Sequence, residues 1–263
     1  MSHCSRAGRN RRSLRSTALL VALATSGLAP MLATAQAADS AVELKPHRVY
    51  QRDAAGHATI PLIVDGRELD GTALQARILN ESGQSLPGVT IAGGRIAGAY
   101  MGGPYTIAYK SGDGGETRSI RPVFVGDLWV LAGQSNMEGY GDLKDVAQPH
   151  PRVMLLGMDG AWTQAREPLH WLVDSPDPVH SGDPNTRAER SKQQHENRPK
   201  GSGLGLSFAA TLAQGADVPI GLVACAHGGT SLAQWSPGLK DKGGDSLYGS
   251  MLRQVGLAGG KVK

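Results

Sequence analysis

Short alternations of apolar and polar residues fill the first part of the chain. They occur at 58–64, 74–79 and 105–110, and glycine-rich turns separate them. A period of two is typical of strands with one buried face. The Ser-Gly-Asp-Gly-Gly segment at 111–115 predicts a hairpin, because glycine and aspartate tolerate positive φ. The pattern therefore predicts a small β-sandwich-like domain over residues 41–125.

Beyond Val125 the pattern changes to longer apolar runs and to helical spacing. Continuous apolar runs suit strands that are buried on both faces, and apolar residues three and four apart suit helices. Strands that alternate with helices favour a parallel sheet with helices on both faces, so we predict an α/β domain over residues 126–263. The predicted strands are 128–132, 152–157 and 218–226, and the predicted helical faces are Leu204, Phe208, Ala209 and Leu212, and Leu247, Met251, Leu252 and Val255.

A polar segment at about 174–200 interrupts the α/β pattern. It contains Pro, Asp, Ser, Asn, Gln and His but almost no large apolar side chain. Without apolar positions nothing in the segment can anchor a packed element, so we predict a long surface loop. Whether such a loop covers a site or is partly disordered stays open from sequence alone.

The first 37 residues have the three parts of an export signal. Arginines are frequent up to Arg15, an apolar stretch covers 17–33, and Ala-Gln-Ala at 35–37 fits the small-residue cleavage pattern. A membrane anchor is the alternative, but polar residues, glycine and proline interrupt a stretch shorter than the ~20 apolar residues that span a bilayer. The sequence predicts a signal peptide over residues 1–37, export to the periplasm or the outside, and no membrane association after cleavage.

The net charge of +4 does not indicate nucleic-acid binding. Five of the 27 basic residues lie in the predicted leader and no acidic residue precedes Asp39, so 22 basic residues then stand against 23 acidic ones. A nearly neutral mature chain without basic-aromatic interleaving has no electrostatic footprint for phosphates. We therefore predict no nucleic-acid partner, and oligomeric state stays open.

Cysteine and histidine spacing indicates no disulfide, metal or cofactor. Cys4 lies in the predicted leader, so Cys225 stands alone, within an apolar run where a buried thiol is expected. No Cys-x-x-Cys, His-x-x-x-His or His-Glu-x-x-His pair occurs, and these are the spacings of common zinc sites. We therefore predict no metal. The glycines at 201, 203 and 205 do not complete a dinucleotide-binding loop, because Leu206 stands where that motif needs glycine, and we predict no cofactor.

A serine on a glycine-containing turn is the most informative chemical signal. Ser135 follows the predicted strand at 128–132, within Gly133-Gln134-Ser135-Asn136-Met137. Such a turn can present a hydroxyl at the carboxyl edge of a sheet, where backbone N–H groups face a developing oxyanion. By spacing alone, a serine that caps the following helix is the alternative.

This block, after its Gly-Asp-Leu-Trp strand, resembles the nucleophile block of the sialate O-acetylesterase family of SGNH-type hydrolases. The resemblance implies a flavodoxin-like fold, a three-layer parallel α/β sheet, with a small β domain before it. It implies that Ser135 is the nucleophile of a serine-dependent ester hydrolase and that Gln134 and Asn136 bind the substrate. The implied substrate is an acetylated carbohydrate such as sialic acid or acetylated xylan, which is deacetylated through an acyl-enzyme.

A second block, at 218–230, is similar to the family's strand followed by Gly-Gly-Thr. In the family a backbone N–H from this turn helps to form the oxyanion hole, which implies that role for Gly228 or Gly229. Glycine suits the role because a Cβ would crowd the tetrahedral intermediate. An ordinary loop is the alternative.

Two further family blocks are expected downstream. Relatives have a Gln-Gly-Glu block with an oxyanion donor and an Asp-x-x-His block that orients and deprotonates the serine, and neither follows Thr230. Removing the histidine of a comparable triad lowers kcat on the order of 10⁶-fold. We therefore expect a chain that ends within its fold and is inactive without its base. Replacement by His227 is less favoured, because a base also needs an orienting carboxylate.

Two other functions stay open besides the hydrolase. One is a non-catalytic exported protein that binds carbohydrate, and the other is a truncated remnant that folds poorly. The first would need aromatic surfaces for sugar stacking, although a buried tryptophan is the commoner case. The four candidates are Trp129, Trp162, Trp171 and Trp235.

Overall fold

The computed structural model describes residues 42–69, 75–110 and 115–263. Its strands are β1 (Val49–Gln51), β2 (His57–Pro61), β3 (Ile63–Val64), β4 (Arg67–Glu68), β5 (Gln75–Leu79), β6 (Thr90–Ala92), β7 (Arg95–Tyr100), β8 (Gly102–Lys110), β9 (Arg118–Leu131), β10 (Gly141–Asp142), β11 (Val153–Leu156), β12 (Trp162–Gln164), β13 (Lys200–Ser202) and β14 (Ile220–Ala224). Its α-helices are α1 (Ser135–Glu138), α2 (Pro178–Ser181), α3 (Pro184–Asn197), α4 (Gly205–Gly215) and α5 (Leu247–Ala258). The predicted signal peptide and residues 111–114 of the predicted hairpin lie outside these ranges.

One long strand, β9, takes part in both kinds of sheet pairing. Its first part pairs antiparallel with β8, which pairs antiparallel with β5. Its last part pairs parallel with β14, which in turn pairs parallel with β11. The short β1 runs parallel to β9 on its other side, and β12 closes the sheet against β11. The fold is therefore mixed α/β, with parallel and antiparallel pairs in one sheet.

The strands predicted before residue 125 are present. The hairpin pairing of β8 with β9 is as predicted, and β2, β7 and β6 form a separate three-stranded antiparallel sheet. Side chains from these strands share one core, because the alternating apolar positions point to the same side. Its largest fully buried members are Ile60, Leu62, Ile78, Ile96 and Ile107. Since β9 crosses residue 125 without a break, the division into two domains there stays a prediction.

Two cores cover the two faces of the parallel strands. Along β14, Leu222 and Ala224 belong to the core that includes α4, whereas Val223 and Cys225 belong to the core beside α5. Successive residues of a strand point to opposite faces, so a fully apolar strand is buried on both. The predicted buried thiol is confirmed: Cys225 is 1% exposed, and burial raises its pKa to about 12.

The two predicted helices are present, but their buried faces differ from the prediction. In α4, Ala209 is buried as predicted, but Leu204 and Phe208 are exposed, and Leu206 and Ala213 are buried in their place. Leu204 precedes the helix, and Phe208 packs edge-on against Trp129 with ring centroids 5.2 Å apart. In α5, Leu252 is exposed while Ser250 and Gln254 are buried. These two polar side chains are buried because each has hydrogen-bond partners inside the protein.

The surface loop predicted at about 174–200 is wrong over half its length, because α3 occupies Pro184–Asn197. Asp183 caps this helix by accepting a hydrogen bond from the Asn185 N–H, and Pro184 is its first residue. No residue of α3 is buried, so its sequence carries no apolar period to detect. Within the described ranges no helix has both the length and the apolar character needed to cross a membrane.

Candidate active site

The turns that follow β9 and β14 lie side by side at the carboxyl edge of the parallel strands. The strand register pairs Ala224 with Leu131, and the Cys225 N–H donates to the Leu131 carbonyl at 3.0 Å. Two residues further along both segments, the His227 N–H donates to the Gly133 carbonyl at 2.9 Å. The pairing thus continues past both strands and brings the segment that carries Ser135 beside the segment that carries Gly228 and Gly229.

Ser135 is the first residue of α1 and is half-buried. The N-cap of α1 is Gln134, and the Ser135 hydroxyl caps no helix in the described part of the chain. That hydroxyl also donates no hydrogen bond to another described residue, whereas the flanking Gln134 and Asn136 are exposed. The capping alternative from the sequence therefore does not apply, and the hydroxyl is left for other partners.

The two glycines of the second turn differ in what their amides do. The Gly228 N–H donates to Glu138 Oε2 at 2.5 Å. A Cβ at this glycine would lie 2.9 Å from the same oxygen and 3.0 Å from the Tyr140 hydroxyl, so the backbone and the carboxylate are in close contact. Gly229 is exposed with φ of +72°, and in the described chain its N–H donates to no protein acceptor. Of these two glycine amides, the Gly229 amide is therefore the one that is available to a ligand in the described part of the chain.

Buried polar residues hold Glu138 in place. Its side chain is 6% exposed, and the guanidinium of Arg198 lies 3.8 Å from its Oε1. Its backbone carbonyl is 3.0 Å from Nδ1 of His170, whose own carbonyl accepts from Arg198 at 2.6 Å. His170 is fully buried, and burial lowers its pKa to about 4. Sequence spacing does not reveal these three residues as a group, because only the fold brings them together.

A cleft of about 420 Å³ begins where α1 ends. Arg198 and Lys200 give it a basic side, and α3 contributes Gln194. The guanidinium of Arg198 also stacks over the ring of Trp171, 5.0 Å from its centroid. Ser135 does not line this cleft but lies at the opposite end of the four-residue α1. The full lining is Glu138, Gly139, Tyr140, Leu172, Gln194, Arg198 and Lys200.

An Asp-x-x-His sequence does occur in the chain, but it precedes the glycine turn, whereas the family's block is expected after that turn. Asp177-Pro178-Val179-His180 begins at the N-cap of α2. Its histidine is buried, with Nε2 3.1 Å from Ser250 Oγ and Nδ1 3.1 Å from Nδ1 of His227. Both ring nitrogens of His180 are therefore occupied, and neither contacts Ser135. Among the described residues, no group of three or more His, Cys, Asp or Glu could hold a metal ion.

The sequence matches a family model and a curated relative. The model, described as carbohydrate esterase, sialic acid-specific acetylesterase, matches residues 125–263. A probable carbohydrate esterase of Arabidopsis thaliana is 26% identical over 163 residues, which cover 54% of this chain and 52% of that protein. The chain thus spans about half the length of the curated relative it matches.

Two solved structures also align with the chain. A carbohydrate acetylesterase from Xanthomonas citri is 21% identical with a TM-score of 0.45, over 81% of this chain and 46% of that one. A protein from Arabidopsis thaliana is 25% identical with a TM-score of 0.35, over 49% of each chain. Every residue predicted for the site falls inside the family match at 125–263.

Proposed function

This chain belongs to the sialic acid-specific acetylesterase family of carbohydrate esterases, and from that premise we propose that Ser135 is the nucleophile of an ester-hydrolysing site. The substrate is an O-acetylated carbohydrate, such as an acetylated sialic acid or acetylated xylan. The reaction removes the acetyl group through an acyl-enzyme. The family match, which covers both blocks named in the sequence, supports the reaction class.

The main support for the proposal is the hydrogen bond that joins the two turns of the candidate site. The hydrogen bond from the His227 N–H to the Gly133 carbonyl sets the turn of Ser135 beside the turn of Gly229. A nucleophilic hydroxyl and a free backbone amide on neighbouring turns are the two parts that acyl transfer needs at one carbonyl group. Among the described residues, neither the Ser135 hydroxyl nor the Gly229 N–H donates a hydrogen bond to a protein acceptor. Both groups are therefore free to act on a bound ester.

The proposed roles follow from these contacts. The Ser135 hydroxyl gives its proton to a general base, although no described residue hydrogen-bonds to this hydroxyl, and the Ser135 oxygen attacks the acetyl carbon. The carbonyl oxygen becomes an oxyanion that accepts from the Gly229 N–H. The bond from the acetyl carbon to the sugar oxygen then breaks, and that oxygen takes up the proton from the base and leaves as a hydroxyl. Water then attacks the acetyl-serine and releases acetate. Gln134 and Asn136, exposed on either side, contact the carbohydrate. The Gly228 N–H supports the turn through Glu138 rather than the oxyanion.

We extend the proposal to architecture and location. A flavodoxin-like, SGNH-type domain over 126–263 follows a β-sandwich-like domain over 41–125, in accord with parallel strands that have helices on both faces. The charged start, apolar stretch and Ala-Gln-Ala of residues 1–37 support export. Amino-terminal sequencing of the periplasmic or secreted protein should begin at Ala38, and an intact leader there would contradict cleavage.

The test of the nucleophile compares two serine variants. Hydrolysis of p-nitrophenyl acetate and of acetylated xylan is measured for this chain and for the protein expressed from its entire coding sequence. In whichever of the two proteins hydrolyses these esters, Ser135→Ala should lower kcat by about 10⁴- to 10⁶-fold, because the acyl-enzyme can no longer form. Ser207→Ala, on the exposed face of α4, is the matched control and should keep the kcat of the unchanged protein. Undiminished turnover in Ser135→Ala would refute the assignment.

A further inference from the structure

A chain of polar side chains runs from the N-cap of α2, through a serine of α5, to the turn of the candidate site. Asp177, Ser250, His180 and His227, which we call the buried relay, are joined in that order. The first three are at most 7% exposed, and His227 is half-buried. The three buried groups need a consistent set of donors and acceptors, because water cannot supply partners to them.

The direction of each hydrogen bond in the relay follows from its carboxylate end. Asp177 Oδ2 accepts from the Arg253 guanidinium at 2.8 Å and also from the Ser250 hydroxyl. Because serine has a single O–H, Ser250 can then only accept from His180. The proton of His180 therefore lies on Nε2, and its Nδ1 has a lone pair.

The position of the proton on His227 follows from the hydrogen bond between His227 and His180. Its Nδ1 lies 3.1 Å from the Nδ1 of His180, so His227 must donate there. A neutral imidazole that donates from Nδ1 keeps a lone pair on Nε2. In the described chain the His227 Nε2 has no hydrogen-bond partner, and it is not among the buried unpaired atoms. It is an acceptor open to solvent.

The lowered pKa values of both histidines favour neutral imidazole rings in the relay. Burial lowers the pKa of His180 to about 3, and the neighbouring His227 adds to this effect. Burial also lowers the pKa of His227, although the Glu138 carboxylate acts in the opposite direction. Arg253 balances the charge of Asp177, so the relay has no excess negative charge that would favour an imidazolium.

We propose that His227 is a substrate-binding residue whose unprotonated Nε2 accepts a hydrogen bond from a hydroxyl group of the carbohydrate. His227 directly precedes Gly228 and Gly229 and belongs to the same turn, in which its carbonyl accepts from the Thr230 hydroxyl at 2.7 Å. Carbohydrates carry many hydroxyl donors, and a fixed acceptor selects among their orientations. Asp177, Ser250 and His180 are positioning residues that act through His227. The identity of the ligand rests on the proposed function.

The tautomer is tested first, by long-range ¹H–¹⁵N spectra of the full chain with labelled histidine. At neutral pH the His227 signals should show a protonated Nδ1 and an unprotonated Nε2. Ser250→Ala removes the acceptor for His180 and should give His227 a mixture of tautomers, and Ser250→Thr, which keeps a hydroxyl, should restore the single tautomer. A proton on Nε2 in the unchanged protein, or no change in Ser250→Ala, would overturn the relay.

Binding is tested in the Ser135→Ala background, with 9-O-acetylated sialic acid and acetylated xylobiose as probes. One of these sugars should shift the His227 Nε2 signal in a saturable titration. His227→Ala should raise the Kd of that sugar about 10-fold, as expected for one lost hydrogen bond. His57→Ala, an exposed histidine on β2, is the matched control and should leave this Kd unchanged.

The results of these binding and activity measurements distinguish the substrate-binding role of His227 from the nucleophile role of Ser135. If sugars bind without moving the His227 signal, or if His227→Ala binds as tightly as its parent, the substrate role is wrong even where Ser135 hydrolyses esters. If the His227 signal responds to a sugar while Ser135→Ala loses no activity, the nucleophile assignment fails and the binding role stands. If neither sugar binds, the substrate role is also overturned.

Discussion

At the residue scale, one buried carboxylate decides which backbone amide remains free at the candidate site. Glu138 accepts from Gly228, and its position is held by contacts to His170 and Arg198. An amide that already donates at 2.5 Å cannot also stabilise an oxyanion without losing this bond. The resemblance left Gly228 and Gly229 equivalent, and the hydrogen bonds distinguish them in favour of Gly229.

Buried neutral histidines make the stability of the protein depend on pH. Burial lowers the pKa of His170 to about 4, against an ordinary value of about 6.5 in the unfolded chain. Between these two values the unfolded state binds more protons than the folded state, so stability falls as the pH drops through the window. From pH 7 to pH 5 the contribution of His170 to this loss should be about 2 kcal/mol.

The measurement is urea unfolding at pH 7 and pH 5. In His170→Gln the difference in unfolding free energy between the two pH values should be smaller than in the unchanged protein by about 2 kcal/mol. Ser207→Ala, which removes no titratable group, should keep the original difference. An equal difference in His170→Gln would show that this ring does not resist protonation in the folded state.

At the scale of elements, apolar patterning was enough for the buried strands and for the presence of two helices. It was insufficient wherever polar side chains decide the packing. In α5 the buried Ser250 and Gln254 are held by hydrogen bonds, which an apolar period cannot reveal. In α3 no side chain is buried at all, and only the Asp183-Pro184 start indicated a helix.

Asp174 should decide how firmly α3 is held to the rest of the protein. Its carboxylate accepts from the Ser191 hydroxyl at 2.6 Å and contacts His195 Nε2 at 2.8 Å. Together with the stacking of His195 on Trp171, these contacts restrain a helix that has no buried residue, so Asp174→Ala should speed tryptic cleavage after Arg190 about 5-fold or more. Glu196→Ala, on the exposed surface of α3, should be cleaved at the original rate. Equal rates for the two variants would contradict this restraint.

At the scale of the whole molecule, the nucleophile block and the glycine turn were predictable because each follows a recognisable buried strand. Their adjacency follows from parallel pairing, which places strand ends at the same edge.

The buried relay was not predictable in this way. Its members, Asp177, His180, His227 and Ser250, come from three separate parts of the chain, and their directions follow only from distances. The Asp-x-x-His spacing at 177–180 was the one signal in the sequence, and it lies upstream of the region where the family's block is expected.

Because β9 belongs to both parts of the sheet, residues 42–263 should unfold in one cooperative step. In urea, tryptophan fluorescence reports only the second part, where all four tryptophans lie, and far-ultraviolet circular dichroism reports the whole chain. The two transitions should coincide. Gly126→Ala places a Cβ 1.9 Å from the Pro219 carbonyl oxygen, and should shift both transitions together by about 1–3 kcal/mol. Separated midpoints would show two independent units.

The most direct measurement of the central claim is a crystal structure of the protein from the entire coding sequence after reaction with an aryl alkylphosphonate. The phosphonate phosphorus imitates the tetrahedral carbon of acyl transfer. The account predicts a covalent bond to Ser135 Oγ and a phosphoryl oxygen about 2.7–3.1 Å from the Gly229 nitrogen. An unmodified Ser135 beside a modified residue elsewhere, or a phosphoryl oxygen directed away from Gly229, would contradict it.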